Sequence, residues 1–195
     1  MRVSQGKISG DVKRILVMSD SHIPDRAFEI PSKIRLFIER EKYDIVVHAG
    51  DFTDYKVIEY VRTLGKETYM VQGNMDYIDL PEKEIFDAYG INIGVIHGDQ
   101  VYPRGNISKL SRIAKELNAR ILISGHTHTP NIAFDSGILH LNPGSITGVW
   151  GGGGGSMTPT FIVLTISSDG HVTIDIYALE DDLKLYRREY IKFSL

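Results

Sequence analysis

The chain reads as an α/β protein with two sheets packed together and helices on the outside. Two observations point there. In the first half, short continuous apolar runs alternate with segments whose apolar residues recur at helical spacing. In the second half, strands follow one another through glycine-containing turns. Strand–helix alternation followed by a β-rich region is met by layered sheets whose outer faces are covered by helices. The 195 residues suffice for one sizeable core, so residues 1–195 are taken as a single domain with 1–13 as an N-terminal extension, either a short arm or an edge strand.

The elements follow in order. Ile15-Leu16-Val17-Met18 is an apolar run of the kind covered on both faces, and it ends in Ser19-Asp20-Ser21-His22. Pro24 then breaks regular structure. Ile30, Ile34, Phe37 and Ile38 fall on one helical face, with Pro31 tolerated in the first turn. Ile45-Val46-Val47 is a second buried strand, ending in His48-Ala49-Gly50-Asp51. Val57, Ile58, Val61 and Leu64 make a helix stopped by Gly65. A third strand, Thr68 to Val71, ends in Gly73-Asn74-Met75-Asp76.

Residues 84–96 form a hairpin around Gly90 that ends at His97-Gly98. Ile107, Leu110, Ile113, Ala114 and Leu117 mark a third helix. The run Ile121-Leu122-Ile123 leads into Gly125-His126-Thr127-His128. A hairpin around Asp135-Ser136-Gly137 runs into Asn142-Pro143-Gly144-Ser145. Residues 161–166, a turn at Asp169-Gly170, the alternating Val172, Ile174 and Ile176, and a last strand near Leu183 to Phe193 close the chain. There is no internal repeat.

Composition narrows the function classes. Hydrophobic residues at 42% and charged ones at 24% are those of a soluble globular protein. A net charge of −3 argues against the basic stripe that nonspecific nucleic-acid or anionic-membrane binding needs. The lack of cysteine excludes disulfides and thiolate metal sites and fits a cytoplasmic location. No apolar run approaches the roughly 20 residues of a membrane span. Met1 to Arg14 is polar and glycine-containing, unlike a signal peptide.

Each polar cluster falls at the carboxyl end of an expected strand, where α/β sheets gather ligands. His126 and His128, two apart in extended backbone, lie on one side about 6–7 Å apart. That suits imidazoles serving two neighbouring ions, which in binuclear sites are about 3.5–4 Å apart; a hydrogen-bonded pair at a strand end is the alternative. Asp20, His22, Asp51, Asn74, His97, His126 and His128 offer only oxygen and imidazole nitrogen. Such donors suit Mn²⁺, Fe²⁺, Ni²⁺ or Zn²⁺. Seven are too many for one ion and right for two sharing a carboxylate. Glycines 50, 73, 98 and 125 let the backbone approach closely.

This order of motifs, from Asp20-x-His22 to Gly125-His126-x-His128, resembles the calcineurin-like metallophosphoesterase superfamily across about residues 14–192. The resemblance implies a four-layer αββα sandwich of two mixed β-sheets flanked by helices. It implies one metal on Asp20, His22 and His128, a second on Asn74, His97 and His126, and Asp51 bridging both. A water between the ions, deprotonated, would attack phosphorus. Manganese is the favoured ion. Catalytic roles then fall to Asp51, Asn74 and His22, and substrate contacts to Asn74 and Arg104. Many members carry a histidine after the asparagine. Here Met75 stands there, with no proton to donate. The small archaeal and bacterial phosphodiesterases lack that histidine too, so the departure points to that branch. It leaves the leaving-group acid to a metal-bound water or to His22. The implied activity is phosphodiester hydrolysis on a small substrate. Nucleic acid is not excluded as substrate, and homo-oligomerisation is possible. His97 to Val101, Ile121 to His128, Asn142 to Gly148 and the C-terminal strands are also similar to the eukaryotic retromer scaffold subunit. A protein-interaction scaffold of this fold is therefore the alternative function.

Other residues carry paired readings. Asp54 is a helix N-cap or part of a longer motif. Asp76 supports a ligand or is a plain loop acid. His48 packs near the site rather than ligating. His140 approaches the cleft or serves its strand, and His171 is exposed. Arg104 is a solvated loop residue or a bidentate phosphate contact. Asn142 to Ser145 supports the metals from its backbone. The run Gly151 to Gly155 is a flexible loop that lies by the cleft and moves when substrate enters. Trp150 and Met157 beside it are either core or a contact surface.

Overall fold

A computed structural model of the protein describes residues 10–195. The elements are β1 (Val12–Met18), α1 (Ser32–Arg40), β2 (Tyr43–His48), α2 (Tyr55–Thr63), β3 (Gly65–Met70), β4 (Lys83–Ala88), β5 (Ile91–Ile96), α3 (Ile107–Glu116), β6 (Ile121–Ser124), β7 (Pro130–Asp135), β8 (Ile138–Pro143), β9 (Thr160–Ser167), β10 (His171–Leu179) and β11 (Leu183–Lys192). They form a six-stranded sheet in the order β11-β10-β9-β1-β2-β3 and a five-stranded sheet in the order β4-β5-β6-β8-β7.

Both sheets are mixed. β1, β2 and β3 run parallel, while β9 joins β1 antiparallel. β5, β6 and β8 run parallel, with antiparallel β4 and β7 at the edges. The period of two along each strand sorts the core. Ile15, Val17, Ile45 and Val47 face inward and meet Ile93, Val95, Ile121, Ile123 and Leu139 of the second sheet. Leu16, Met18 and Val46 face outward and are covered by Ile34 and Ile38 of α1 and Val57, Ile58 and Val61 of α2. Ile96 and Leu122 lie under Leu110 and Ala114 of α3. The expected four-layer αββα sandwich is the observed architecture.

Several boundaries move. Residues 1–9 of the expected extension lie outside the described residues. Val12 and Lys13 belong to β1, which sits inside its sheet rather than at an edge. Ile30 is buried but precedes α1, whose N-cap position is taken by Pro31. Gly65 opens β3 instead of only ending α2, because its pairing with Tyr43 draws it into the sheet. Asp54 is the N-cap of α2, accepting from the Lys56 amide at 2.7 Å. Among the described residues, no helix is long and apolar enough to cross a membrane.

Candidate metal centre

All seven expected ligands follow parallel strands. Asp20 and His22 follow β1, Asp51 follows β2, Asn74 follows β3, His97 follows β5, and His126 and His128 follow β6. The six-stranded sheet therefore supplies four of them and the five-stranded sheet three, and they meet where the two sheets abut. The loops are zipped together by backbone bonds: the Asp20 amide donates to Gly50 O at 3.0 Å and the His22 amide to Asp51 O at 3.0 Å. Two glycines permit the approach. A Cβ on Gly73 would lie 2.2 Å from Asp51 Oδ1, and one on Gly125 only 1.9 Å from Ser19 Oγ.

The ligand backbone itself is unusual. Asp20, His22, Asp51, His126 and His128 all have φ between 47° and 67°, the left-handed region that side chains other than glycine rarely enter. Such strain gathers at sites where the surroundings over-determine the geometry. Those surroundings are visible. Asp76 accepts from the amides of Asp51, Phe52, Thr53 and Gly73 at 2.7–2.8 Å, which decides for support of a ligand over a plain loop acid. Burial raises the Asp76 pKa against the pull of those amides. The Met75 amide donates to Asp51 Oδ1 at 2.8 Å, leaving Oδ2 to face the site. Ser145 Oγ donates to Asp20 O at 2.7 Å, and Asn142 Nδ2 to Gly125 O at 2.7 Å. The Asn-Pro-Gly-Ser turn thus supports the site through the side chains of Asn142 and Ser145 rather than through the backbone expected from the sequence. The sequence reading missed Ser19, whose hydroxyl donates to Asp20 Oδ2 at 2.7 Å. Its place beside Asp20 was the only signal.

Four ligand atoms, one each from buried Asp20, His22, Asp51 and His128, all lie within 4.8 Å of one another. His22 Nε2 is 3.2 Å from His128 Nε2 and 3.3 Å from Asp51 Oδ2, and His128 Nε2 is 3.2 Å from Asp20 Oδ1. A tetrahedral ion with bonds of about 2.0–2.1 Å places its ligand atoms about 3.3 Å apart. Two buried carboxylates and a histidine that burial holds neutral, its pKa near 4, leave negative charge for a cation to offset. For Asp20, burial acts upward, but the bond to His128 and the neighbouring imidazoles keep its pKa below the ordinary value. This Asp/His cluster fits a metal ion by distance, donor type and charge.

The other three residues adjoin it around His97. His97 Nε2 lies 3.2 Å from Asn74 Oδ1, 3.2 Å from His126 Nδ1 and 3.4 Å from Asp51 Oδ2. Its Nδ1 donates to Ala49 O at 2.7 Å, so Nε2 points inward by construction. His128 is oriented the same way, with Nδ1 on Val149 O at 2.7 Å. Burial lowers the His97 pKa, but the bond to Asp51 and the charge of Asp20 outweigh it and lift it to about 9. Among the described residues, no other set of three or more acidic or histidine side chains converges as closely as the first four.

The remaining residues sort themselves. His48 bonds Ser21 Oγ at 2.6 Å and stacks on Phe52, and it lies outside the four converging residues. His140 bonds Ser111 Oγ of α3 at 2.8 Å, which favours its structural reading; the cavity of about 240 Å³ that it lines with Arg104 includes none of the seven candidate ligands. His171 is only partly exposed and bonds Asp169 at 2.9 Å. Arg104 reaches the site: its Nε donates to His126 Nε2 at 2.9 Å and its Nη1 to Gly151 O at 2.6 Å. The glycine run does lie by the cleft, since a Cβ on Gly151 would meet His128 at 2.8 Å. Trp150 and Met157 stand 55% and 59% exposed, which sets their core reading aside.

Comparison with known proteins now decides the family. The model of the calcineurin-like phosphoesterase superfamily domain matches residues 14–169. The chain belongs to the calcineurin-like phosphoesterase superfamily. A probable metallophosphoesterase of Methanocaldococcus jannaschii is 49% identical over 140 residues, 72% of this chain and 71% of the relative. Among solved structures, vacuolar protein sorting 29 (Vps29) of Cryptosporidium parvum superposes with a TM-score of 0.88 at 25% identity, covering 93% of this chain and 99% of that one. The zinc complex of Vps29 from Entamoeba histolytica gives 0.80 at 30% identity with the same coverage. This superfamily member is a probable metallophosphoesterase with a buried Asp/His metal-binding cluster.

Proposed function

We propose that the protein is a metal-dependent phosphodiesterase that works with two divalent cations. The observation that carries this reading is one oxygen. Asp51 Oδ2 faces His22 Nε2 at 3.3 Å and His97 Nε2 at 3.4 Å, so a single carboxylate oxygen adjoins both sets of donors. Asp20, His22 and His128 would hold the first cation and Asn74, His97 and His126 the second, with Asp51 shared. Manganese is our favoured ion, and iron, nickel or zinc suit the same donors. When bound, the cations supply charge for the phosphoryl oxygens and lower the pKa of water.

The chain's own groups do the rest. The Ala49 and Val149 carbonyls hold Nδ1 of His97 and of His128, so Nε2 of each ring is turned to the site; on His97 a cation would have to displace the proton that Asp51 stabilises there. Arg104 supplies a guanidinium at the edge of the second set, suited to a phosphate oxygen. His22, with its pKa near 4, holds no acidic proton at neutral pH, so its role is ligation. Met75 offers none either. With neither His22 nor Met75 able to protonate the leaving group, substrates whose leaving groups depart as stable anions are favoured.

The test is hydrolysis of a chromogenic aryl phosphodiester by purified protein with and without Mn²⁺, repeated with Asp51→Ala and Asn74→Ala. Metal-dependent turnover that falls more than the roughly 10–100-fold typical of losing a supporting partner supports the reading. No activity, or activity indifferent to both changes, favours the interaction scaffold, to which the likeness to Vps29 structures would then point. A panel of cyclic nucleotides, nucleic-acid ends and small diesters names the substrate, and solution mass measurement tests homo-oligomerisation.

A further inference from the structure

We propose that Arg104 is a tethered competitor of the second cation, released from His126 when that cation binds. The inference rests on the two-cation reading above. A guanidinium has no lone pair and can only donate. The 2.9 Å contact from Arg104 Nε therefore makes His126 Nε2 the acceptor, and a neutral ring then carries its proton on Nδ1. Nδ1 is the nitrogen that faces His97 Nε2 at 3.2 Å and belongs to the ligand set. One neutral imidazole cannot accept from Arg104 on Nε2 and give a lone pair to a cation on Nδ1. Ligation through Nε2 meets the same obstacle, because Arg104 already holds that lone pair. Cation binding at His126 and the Arg104 contact exclude each other.

The arginine has somewhere to go. Arg104 is solvent-exposed, on the loop between β5 and α3. Its second anchor is the Gly151 carbonyl, in the glycine run, and a Cβ on Gly153 would lie 2.9 Å from its Nη1. Release from His126 frees a guanidinium beside the loaded site, where a phosphate oxygen is its natural partner. The cation and the phosphate grip are thereby coupled: the grip becomes available as the site fills. The consequence is ordered loading, with the first position filled before the second.

Calorimetric titration of Zn²⁺ into the cation-free protein and into Arg104→Met tests this. The weaker of two affinities should tighten about tenfold in Arg104→Met, as expected for losing a charge-assisted bond, while the stronger stays unchanged. Binding of inorganic phosphate to the zinc-loaded protein should weaken about tenfold in the same variant. Nitrogen-15 shifts of His126 in the unaltered protein give an independent readout: proton on Nδ1 without zinc, on Nε2 with it. Two zinc ions bound with affinities that Arg104→Met leaves alone, or a cation-free His126 protonated on Nε2, would overturn the inference and leave the two-cation reading standing. A single zinc ion in both proteins would overturn both.

Discussion

Asp20, His22, Asp51 and His128 converge mutually, and all four are buried. Asn74, His97 and His126 meet Asp51 only through His97, and Asn74 is exposed. The first set is preformed by packing. The second carries a hydrogen bond from Arg104 on His126. The difference teaches that one family motif list can conceal two kinds of site, one rigid and one conditional. The rigid set is braced on every side by buried donors and glycine contacts. The conditional set has a solvent-facing member, Asn74, and an arginine, Arg104, bonded to one of its histidines.

The comparison is broken most severely through what the two sets share. Asp76→Ala removes the acceptor of four backbone amides that hold the Asp51 and Gly73 turns together. Each buried donor left without a partner costs about 1–3 kcal/mol, part of it regained by water, so a loss of about 4 kcal/mol is expected in denaturant unfolding. Both cation affinities should fall. Gly125→Ala strikes the rigid set hardest, since its Cβ would press on Ser19 Oγ and, at 2.9 Å, on Asp20 Oδ2, with a looser 3.0 Å contact on the Ala49 carbonyl that orients His97. Overpacking of this kind costs about 1–3 kcal/mol, and titration should show the stronger affinity reduced more than the weaker.

The smallest effect is read in pH. Burial holds His22 near a pKa of 4, His126 near 4 and His48 near 3, all below the unfolded value of 6.5. Below pH 6.5 the unfolded chain takes up their protons first, so stability falls as pH drops toward 4. His97, lifted to about 9, contributes stability that is full below 6.5 and lost as pH rises through 9. Asp51, for which burial acts upward but the bond to His97 and other neighbours prevail, is held near 2; its contribution is present above 3.8 and lost as pH falls through 2. The thermal midpoint of the cation-free protein should therefore peak near pH 6.5. His97→Asn should flatten the alkaline decline and leave the acid one, and a decline that survives the change would show that another group controls it.

The fold was legible because strand and helix periods alternate cleanly and each polar cluster closes an apolar run. Gly50-Asp51 and Gly125-His126-x-His128 announce close backbone approach, and the structure shows it. The left-handed φ at Asp20 or His128 was not legible, because nothing in an aspartate or histidine marks it; only tertiary contacts force it. Asp76 gave no sign of its four amides, since a loop acid and a brace look alike in sequence. Arg104 lay 22 residues from His126 on a loop of its own, and the contact depends on how β5 and β6 lie side by side. Antiparallel entry of β9 beside β1 is likewise a long-range choice that local periodicity does not encode.

The separation of His22 and His128 along the chain, 106 residues, has a consequence beyond chemistry. One follows a strand of the six-stranded sheet and the other a strand of the five-stranded sheet. An ion gripped by both would be a removable crosslink across the sandwich. A covalent tie around a loop of about 100 residues is worth about 4.7 kcal/mol in the chain-entropy picture, and an ion binding only the folded chain adds stability with its free concentration. The midpoint of unfolding would then rise with the concentration of free metal.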